Sequence, residues 1–294
     1  MKELEKCELC PWKCRVNRNQ FLGRCGAGKN IKIALASLHY FEEPCISGKS
    51  GTVFFSGCNL KCVYCQNYKI SHLGYGKEIT IEHLADVFIS QQEKGANNLN
   101  LVTPTMYVPH IISALKIAKE KGLHIPVIYN SSGYESVETL RLLDGYIDVY
   151  LPDFKYYFSD IAKKYSSVSN YFEITSKAIL EMYHQVGNAV FDENGMIQKG
   201  IIIRHMILPD CIENSKKVLE WIKENLSNQV YISIMAQYFP TYKACEYREI
   251  NRKINQDELN EVWNFVEKLG FENGYIQELG EHEEEYVPDF DLSE

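Results

Sequence analysis

The sequence lacks three features that would point to particular classes of protein. No apolar run approaches the roughly twenty residues that a transmembrane helix needs. The charged start, Met1 to Lys6, leads into cysteines and not into the apolar core of a secretion signal. Lys and Arg number 31 against 39 Asp and Glu, and the net charge of −8 argues against broad affinity for nucleic acid. These absences predict a soluble, cytoplasmic protein without a membrane or nucleic-acid partner.

Internal repeats and low-complexity tracts are also missing, and the composition is that of an ordinary globular protein. Hydrophobic residues make up 45% of the 294 residues and charged residues 24%, which allows a sizeable core. The unusual component is cysteine, because eight of the ten cysteines stand before residue 66. In a reducing cytoplasm, clustered cysteines are metal ligands more often than disulfide partners.

Short apolar strands alternate with amphipathic helices along the chain. Strands are predicted at 31–40, 52–55, 99–102, 125–129, 147–151, 201–207, 230–235 and 275–278, and helices at 80–94, 109–122, 136–143, 159–165, 173–186, 215–226 and 256–269. About six β-then-α units indicate an α/β fold with parallel strands and right-handed crossovers. Six units are too few for a closed eight-fold barrel, so we expect a partial (β/α)6 barrel at 46–294 behind a cysteine-rich, metal-binding extension at 1–45. A doubly wound sheet is the alternative.

Both arrangements place the active site at the carboxyl ends of the parallel strands. Polar or metal-binding side chains stand at these ends in Cys58, Thr103, Asn130, Asp153, Arg204 and Gln237. His205 alternates with Arg204 on one strand, so the two face opposite sides, and we expect Arg204 to face the site. Residues far apart in the chain should therefore meet at one rim.

Three cysteines follow the first strand of the β/α series. Cys58, Cys62 and Cys65 have the spacing C-x3-C-x2-C. Three thiolates on one tight loop can hold three irons of a [4Fe–4S] cluster. No fourth cysteine stands nearby, so one iron keeps an open position that the amino nitrogen and carboxylate of S-adenosylmethionine (SAM) can fill. A structural zinc loop is the alternative, but zinc needs four ligands where this spacing offers three.

A second set of cysteines lies at the N-terminus. It has the spacing C-x2-C-x3-C-x10-C and consists of Cys7, Cys10, Cys14 and Cys25. Four thiolates can close a zinc site, which would stabilise a head that is poor in apolar residues, or a second iron–sulfur cluster that feeds electrons to the first. The four cysteines do not decide between a zinc site and a second iron–sulfur cluster.

Longer stretches carry a wider resemblance. They include Cys7-Glu-Leu-Cys-Pro-Trp-Lys-Cys14, Gly23-Arg-Cys25-Gly26, Glu43-Pro-Cys-Ile-Ser-Gly48, Phe54-Phe-Ser-Gly-Cys58, Leu101-Val-Thr-Pro-Thr105, Tyr129-Asn-Ser-Ser-Gly133, Tyr150-Leu-Pro-Asp-Phe-Lys155 and Gln237-Tyr-Phe-Pro240. In these stretches the sequence resembles the radical SAM superfamily and, more closely, the group related to pyruvate formate-lyase activating enzyme. The resemblance implies a radical SAM oxidoreductase that cleaves SAM reductively at a [4Fe–4S] cluster. The product would be a 5′-deoxyadenosyl radical that abstracts hydrogen.

The resemblance also implies a set of cofactor contacts. The expected contacts to SAM are Tyr64, Asn67, Thr103, Thr105, Asn130, Ser132, Asp153, Lys155, Arg204 and Gln237. A monovalent cation is expected beside the cofactor at Asn130, Ser131 and Asp153, because oxygen ligands suit a hard cation. Thr103-Pro-Thr105 stands where activating enzymes carry Gly-Gly-Glu, and it is either an ammonium site or a plain turn. Asp153 and Lys155 are either cofactor contacts or a local ion pair.

Three functions are compatible with these residues. The first resembles glycyl-radical activation, with a glycyl radical enzyme as partner and an electron donor of the flavodoxin or ferredoxin type. The second is radical SAM modification of a small molecule or peptide, because a shared fold does not fix the substrate. The third is a non-catalytic iron–sulfur electron carrier, which would need none of the polar residues at the strand ends. The sequence does not fix the substrate, the reductant or the oligomeric state.

Overall fold

A computed structural model describes residues 2–46 and 48–280 together with Pro288 and Phe290. Within these residues the strands are β1 (Ile31–His39), β2 (Ser50–Phe55), β3 (Lys77–Ile79), β4 (Asn98–Val102), β5 (Val127–Ser131), β6 (Val149–Pro152), β7 (Val190–Phe191), β8 (Ile197–Met206), β9 (Tyr231–Met235) and β10 (Gly274–Ile276). The α-helices are α1 (Tyr68–Ser71), α2 (Ile81–Glu93), α3 (Val108–Glu120), α4 (Val137–Leu142), α5 (Ser159–Ser166), α6 (Tyr171–Val186), α7 (Ile212–Asn225) and α8 (Gln256–Leu269).

The strands of the barrel run parallel and lie side by side in chain order. They are β2, β4, β5, β6, β8, β9 and β10. Helices connect each strand to the next, and the strand order does not reverse as it would in a doubly wound sheet. The predicted partial (β/α)6 barrel is therefore confirmed, with a seventh parallel strand at its end. The sheet stays open between β10 and β3.

The first strand runs against the others and belongs to the same sheet. β1 pairs antiparallel with β2 on one side and with β3 on the other, so the sheet continues beyond the first parallel strand. The N-terminal part of the chain thus shares its sheet with the barrel. The domain boundary at residue 45 falls in the connection from β1 to β2 and stays a prediction.

Local sequence explains how the helices on the outside of the barrel begin. The side chain of Thr80 accepts a hydrogen bond from the backbone N–H of His83 at 3.1 Å and so caps α2. Pro109 lies in the first turn of α3, where a missing N–H costs nothing. Leu84 and Phe88 of α2 are fully buried in the main core, which fixes the helix against the sheet. Of the helices in the described ranges, none combines the length and apolar character needed to cross a membrane.

The inside of the barrel is apolar on the side of β5, β6 and β8. Ile46, which precedes β2, is fully buried there against Ile128, Leu151 and Ile202. Every residue of β2, β4 and β5 is buried, as expected for parallel strands covered on both faces. Polar side chains collect at the carboxyl ends of the strands.

Candidate active site

A cavity lies at the carboxyl ends of the parallel strands, where the sequence places the site. Cys58, Cys62 and Cys65 line it. The predicted cofactor contacts that line it with them are Tyr64, Asn67, Thr103, Asn130, Ser132, Asp153, Lys155, Arg204 and Gln237. The ends of β2, β4, β5, β6, β8 and β9 thus contribute to one wall.

Cys62 is buried and Cys58 and Cys65 are half-buried, and these surroundings favour the protonated form of all three thiols. Burial raises the pKa of Cys58, of Cys62 and of Cys65, the last to about 11. The Lys155 ammonium opposes this rise at Cys62 and Cys65 without cancelling it. Bound iron would supply the positive charge that thiolates need in such surroundings. In a [4Fe–4S] cluster each cysteine binds a different iron, so the thiols must face one cavity, as they do here.

A network of charged side chains forms another part of the wall. Arg204 donates from Nε to Oδ1 of Asp153 at 2.8 Å and from Nη2 to Oδ1 of Asn130 at 2.5 Å. Lys155 donates from Nζ to the other carboxylate oxygen of Asp153 at 2.6 Å. Nη1 of Arg204 lies 3.3 Å from Oε2 of Glu42. These side chains are only 10–15% exposed, so their attraction is weakly screened by water.

The network shifts the pKa values of its two carboxyl groups in opposite directions. Burial by itself would raise the pKa of Asp153, but Arg204 and Lys155 outweigh burial and hold this pKa below its usual value. Burial raises the pKa of Glu42 to about 7, and the attraction of Arg204 offsets only part of the rise. Asp153 is therefore ionised at neutral pH, whereas Glu42 titrates there.

The same contacts bear on the predicted monovalent cation at Asn130, Ser131 and Asp153. Both carboxylate oxygens of Asp153 already accept hydrogen bonds from Arg204 and Lys155, and Oδ1 of Asn130 accepts one from Arg204. A monovalent ion would have to displace side chains that carry the same charge. The cation site stays a prediction, and in this structure the oxygens of Asp153 and Asn130 that it would use face Arg204. Asp153 and Lys155 form the local ion pair, and both also line the cavity.

Thr103 and Thr105 have different surroundings. Thr103 lines the cavity and has a φ of 57°, which is strained for a β-branched residue. Thr105 is 1% exposed, and its hydroxyl donates to Oε1 of Glu135 at 2.6 Å. The side chain of Thr105 therefore lies in the core and not on the cavity, and its contact with the cofactor stays a prediction. Burial raises the pKa of Glu135 to about 7, although the hydrogen bond from Thr105 by itself lowers this pKa.

Two neighbouring residues on β8, Arg204 and His205, face opposite sides of the sheet. Arg204 lines the cavity, whereas His205 is 1% exposed and lies away from it. Nδ1 of His205 is 2.6 Å from the carbonyl oxygen of Phe154, and Nε2 is 2.8 Å from Oγ of Ser215. His205 therefore connects β8 to the surrounding structure and does not face the site.

The cysteine-rich N-terminal head, residues 2–30, forms hydrogen bonds with backbone atoms of the loop that carries Cys58, Cys62 and Cys65. The N–H of Cys58 donates to the carbonyl oxygen of Cys25 at 3.0 Å, and Nε1 of Trp12 donates to the carbonyl oxygen of Asn59 at 2.7 Å. Gly57 permits this approach, because a Cβ there would lie 2.6 Å from the oxygen of Cys25.

Within the head, the cysteines of the second set lie near one another. A Cβ on Gly23 would lie 3.3 Å from Sγ of Cys25 and 3.9 Å from Sγ of Cys14, so both sulfurs flank this glycine. Cys14 packs against Cys7. Burial raises the pKa of Cys10 to about 12, and negative charge on Cys25 or Cys7 would raise this pKa further. Across the described part of the chain, no three His, Cys, Asp or Glu side chains are arranged to hold a single metal ion.

Sequence reasoning missed three contributors to the site. Glu42 accepts hydrogen bonds from Arg204 and, at 2.9 Å, from Nδ2 of Asn100. Glu42 directly precedes the stretch Glu43 to Gly48 that carries part of the resemblance, and this position was the one sequence signal for its role. Ser71 and Ser166, whose hydroxyls contact cysteine sulfurs, carried no signal at all in the sequence pattern.

The chain is similar to known proteins over most of its length. Residues 52–193 match the family model of the radical SAM superfamily. The chain is 35% identical over 280 residues to "Uncharacterized protein MJ0674" of Methanocaldococcus jannaschii, and the alignment covers 91% of this chain and 76% of that protein. The chain belongs to the radical SAM superfamily. Membership implies a [4Fe–4S] cluster and SAM as cofactors.

More distant similarities agree with this membership. The chain is 25% identical over 207 residues to pyruvate formate-lyase-activating enzyme of Clostridium pasteurianum, which covers 68% of this chain and 79% of that enzyme. Its fold is similar to that of SuiB from Streptococcus suis bound to S-adenosylmethionine, with a TM-score of 0.51, 16% identity and coverage of 80% of this chain. The match covers 51% of SuiB, so this chain spans about half of SuiB's length.

Proposed function

We propose that this radical SAM protein holds its [4Fe–4S] cluster on Cys58, Cys62 and Cys65 and abstracts a hydrogen atom from a glycine of a partner enzyme. When bound, the cluster and SAM supply one-electron cleavage of the sulfonium and thereby a 5′-deoxyadenosyl radical. The observation that carries this proposal is the single cavity in which the three thiols meet the polar side chains of six strand ends.

The charged side chains of the cavity suit the two charged groups at the methionine end of SAM. Arg204 and Lys155 present cations for the carboxylate, and Asp153 holds both in place through its two oxygens. Thr103 and Ser132 line the same cavity, and a hydroxyl oxygen can accept a hydrogen bond from the ammonium group. These roles need no side chain beyond those the cavity already contains.

A protein partner is supported by apolar side chains near the cavity. Phe41 lines the cavity and is 49% exposed. Leu73 and Tyr75 are 54% and 46% exposed, in the segment after α1, whose Ile70 and Ser71 line the cavity. Exposed apolar side chains beside a catalytic opening favour contact with a macromolecule. The similarity to the activating enzyme of Clostridium pasteurianum supports the same partner class.

The decisive experiment separates the three functions. Protein reconstituted anaerobically, reduced and given SAM should release 5′-deoxyadenosine, and Cys58→Ala should abolish the release. Cys211→Ala is the control, because Cys211 is a buried cysteine that does not line the cavity. With a candidate partner, electron paramagnetic resonance should show a stable glycyl radical. Release without that radical would favour a small molecule or peptide, and no release would leave an electron carrier.

We also propose that Cys7, Cys10, Cys14 and Cys25 hold a second metal centre, either zinc or iron–sulfur, and that a flavodoxin or ferredoxin type protein donates electrons. The backbone contact between Cys25 and Cys58 places this head beside the cluster loop. Iron, sulfide and zinc are to be counted in the wild type and in a variant with all four cysteines changed to alanine. Equal metal content in both proteins would contradict the second centre.

A further inference from the structure

The hydroxyl of Ser166 is directed at one of the cluster cysteines. Ser166 is the last residue of α5 and is fully buried, and its Oγ lies 2.9 Å from Sγ of Cys62. The same Oγ is 2.7 Å from the hydroxyl of Tyr156, which in turn contacts the hydroxyl of Tyr64. Each hydroxyl carries one proton, so the three hydrogen-bonded hydroxyls can all donate in the direction of the sulfur. Tyr64 then donates to Tyr156, Tyr156 to Ser166, and Ser166 to Cys62.

A second hydroxyl faces a second cluster cysteine. Ser71 is the last residue of α1, and its Oγ lies 3.1 Å from Sγ of Cys65 and 2.7 Å from Nδ1 of His72. Nε2 of His72 is buried and has no hydrogen-bond partner among the described residues. A proton on Nε2 would be an unsatisfied buried donor, so Nδ1 is the favoured position for it. His72 then donates to Ser71, and the hydroxyl proton of Ser71 is available to Cys65.

We propose that Ser71 and Ser166 raise the reduction potential of the [4Fe–4S] cluster by donating hydrogen bonds to its thiolates. This inference rests on the proposed function, because it requires the cluster on Cys62 and Cys65. Reduction adds an electron, part of whose charge resides on the sulfurs. A hydrogen bond to a more negative acceptor is stronger, so the two hydroxyls stabilise the reduced cluster more than the oxidised one.

The surroundings of the sulfurs make these two bonds important. Cys62 is 9% exposed, and in such a site burial disfavours added negative charge while hydrogen bonds to that charge gain strength. The third sulfur, Sγ of Cys58, faces a backbone donor, the N–H of Leu60 at 3.4 Å. The Sγ atom of each of the three cysteines thus has its own hydrogen-bond donor. Of these donors, the two serine hydroxyls can be removed by substitution.

The test measures the potential of the cluster without SAM. Ser71→Ala, Ser166→Ala and the double variant are loaded with iron and sulfide and titrated with reductant, and the reduced cluster is followed by electron paramagnetic resonance. At a fixed potential we expect the ratio of reduced to oxidised cluster in the double variant to fall about tenfold, which is about 59 mV for one electron. Ser71→Thr keeps the hydroxyl and should keep the potential. Ser169→Ala, at an exposed serine, should change nothing.

The outcomes separate this inference from the proposed function. A double variant with full iron content and the wild-type potential would overturn the role of the serines. If the alanine variants fail to hold a cluster, the wild type in D2O decides: electron–nuclear double resonance of its reduced cluster should show coupled, exchangeable deuterons, and their absence would overturn the inference. Wild-type protein that binds no iron at Cys58, Cys62 and Cys65 would instead overturn the proposed function.

Discussion

Replacing Asp153 with asparagine leaves two buried cations without the carboxylate they share. Arg204 and Lys155 approach its two oxygens at 2.8 Å and 2.6 Å, and the three side chains are 13–15% exposed. Removal of one partner of a buried pair costs about 3–5 kcal/mol, because the remaining charge stays desolvated. Arg204 keeps Glu42 and Asn130 as partners. We therefore expect Asp153→Asn to lower the free energy of unfolding by about 3 kcal/mol, at the lower end of that range.

Urea unfolding at pH 7, followed by circular dichroism, measures this loss. The control is Asp86→Asn, because Asp86 pairs with Lys121 at 2.5 Å but the two side chains are 64% and 46% exposed, and such surface pairs contribute about 1 kcal/mol or less. The pKa of Asp153 is lowered in the folded state, so its contribution is present above the ordinary value of 3.8 and is lost as the pH falls through the folded pKa. The difference between wild type and Asp153→Asn should therefore shrink in acid. Equal losses in Asp153→Asn and Asp86→Asn would refute the reasoning.

Two further predictions concern a buried acid and a close backbone contact. Burial raises the pKa of Glu135 from 4.5 to about 7, so its contribution to stability is complete below pH 4.5 and is lost as the pH rises through 7. Urea unfolding from pH 4.5 to 8 measures the decline in the free energy of unfolding, and Glu135→Gln should make this decline smaller by about 3 kcal/mol. Glu213→Gln, at a 71% exposed side chain, should leave the decline unchanged. Gly57→Ala should lower the iron content per chain, because the new Cβ would lie 2.6 Å from the carbonyl oxygen of Cys25. Gly145→Ala has a similar positive φ but open space, and iron content equal in both variants would contradict a steric cause.

The fold was predictable because its signals are local. Strands that are buried on both faces read as apolar runs, and helices show caps such as Thr80. The strand predicted at 125–129 lies at Val127–Ser131, because Pro126 has no N–H for the ladder and the pairing begins after it. β3 and β7, of three and two residues, were not predicted, since neither segment shows an alternating apolar pattern.

The sequence could predict which side chains meet only at the ends of the parallel strands. Asp153 and Arg204 line one cavity, as expected, because strand ends converge in a parallel barrel. Thr103 and Thr105 belong to one sequence motif, but the backbone separates them: Thr103 stays at the rim, and Thr105 turns into the core. Glu42 and Ser166 come from other parts of the chain, and their roles exist only through contacts with Arg204 and Cys62.

The head and the cluster loop form one structural unit, and this limits how the N-terminal cysteines can act. Arg18 is 1% exposed and donates to the carbonyl oxygen of Met106, on the barrel, at 2.5 Å. A guanidinium so deeply buried is stable only while its acceptors remain in place. Removal of the head would also leave the N–H of Cys58 without the carbonyl of Cys25. The proposed metal in the head, zinc or iron–sulfur, would fix the position of Cys25 and, through this hydrogen bond, also that of Cys58.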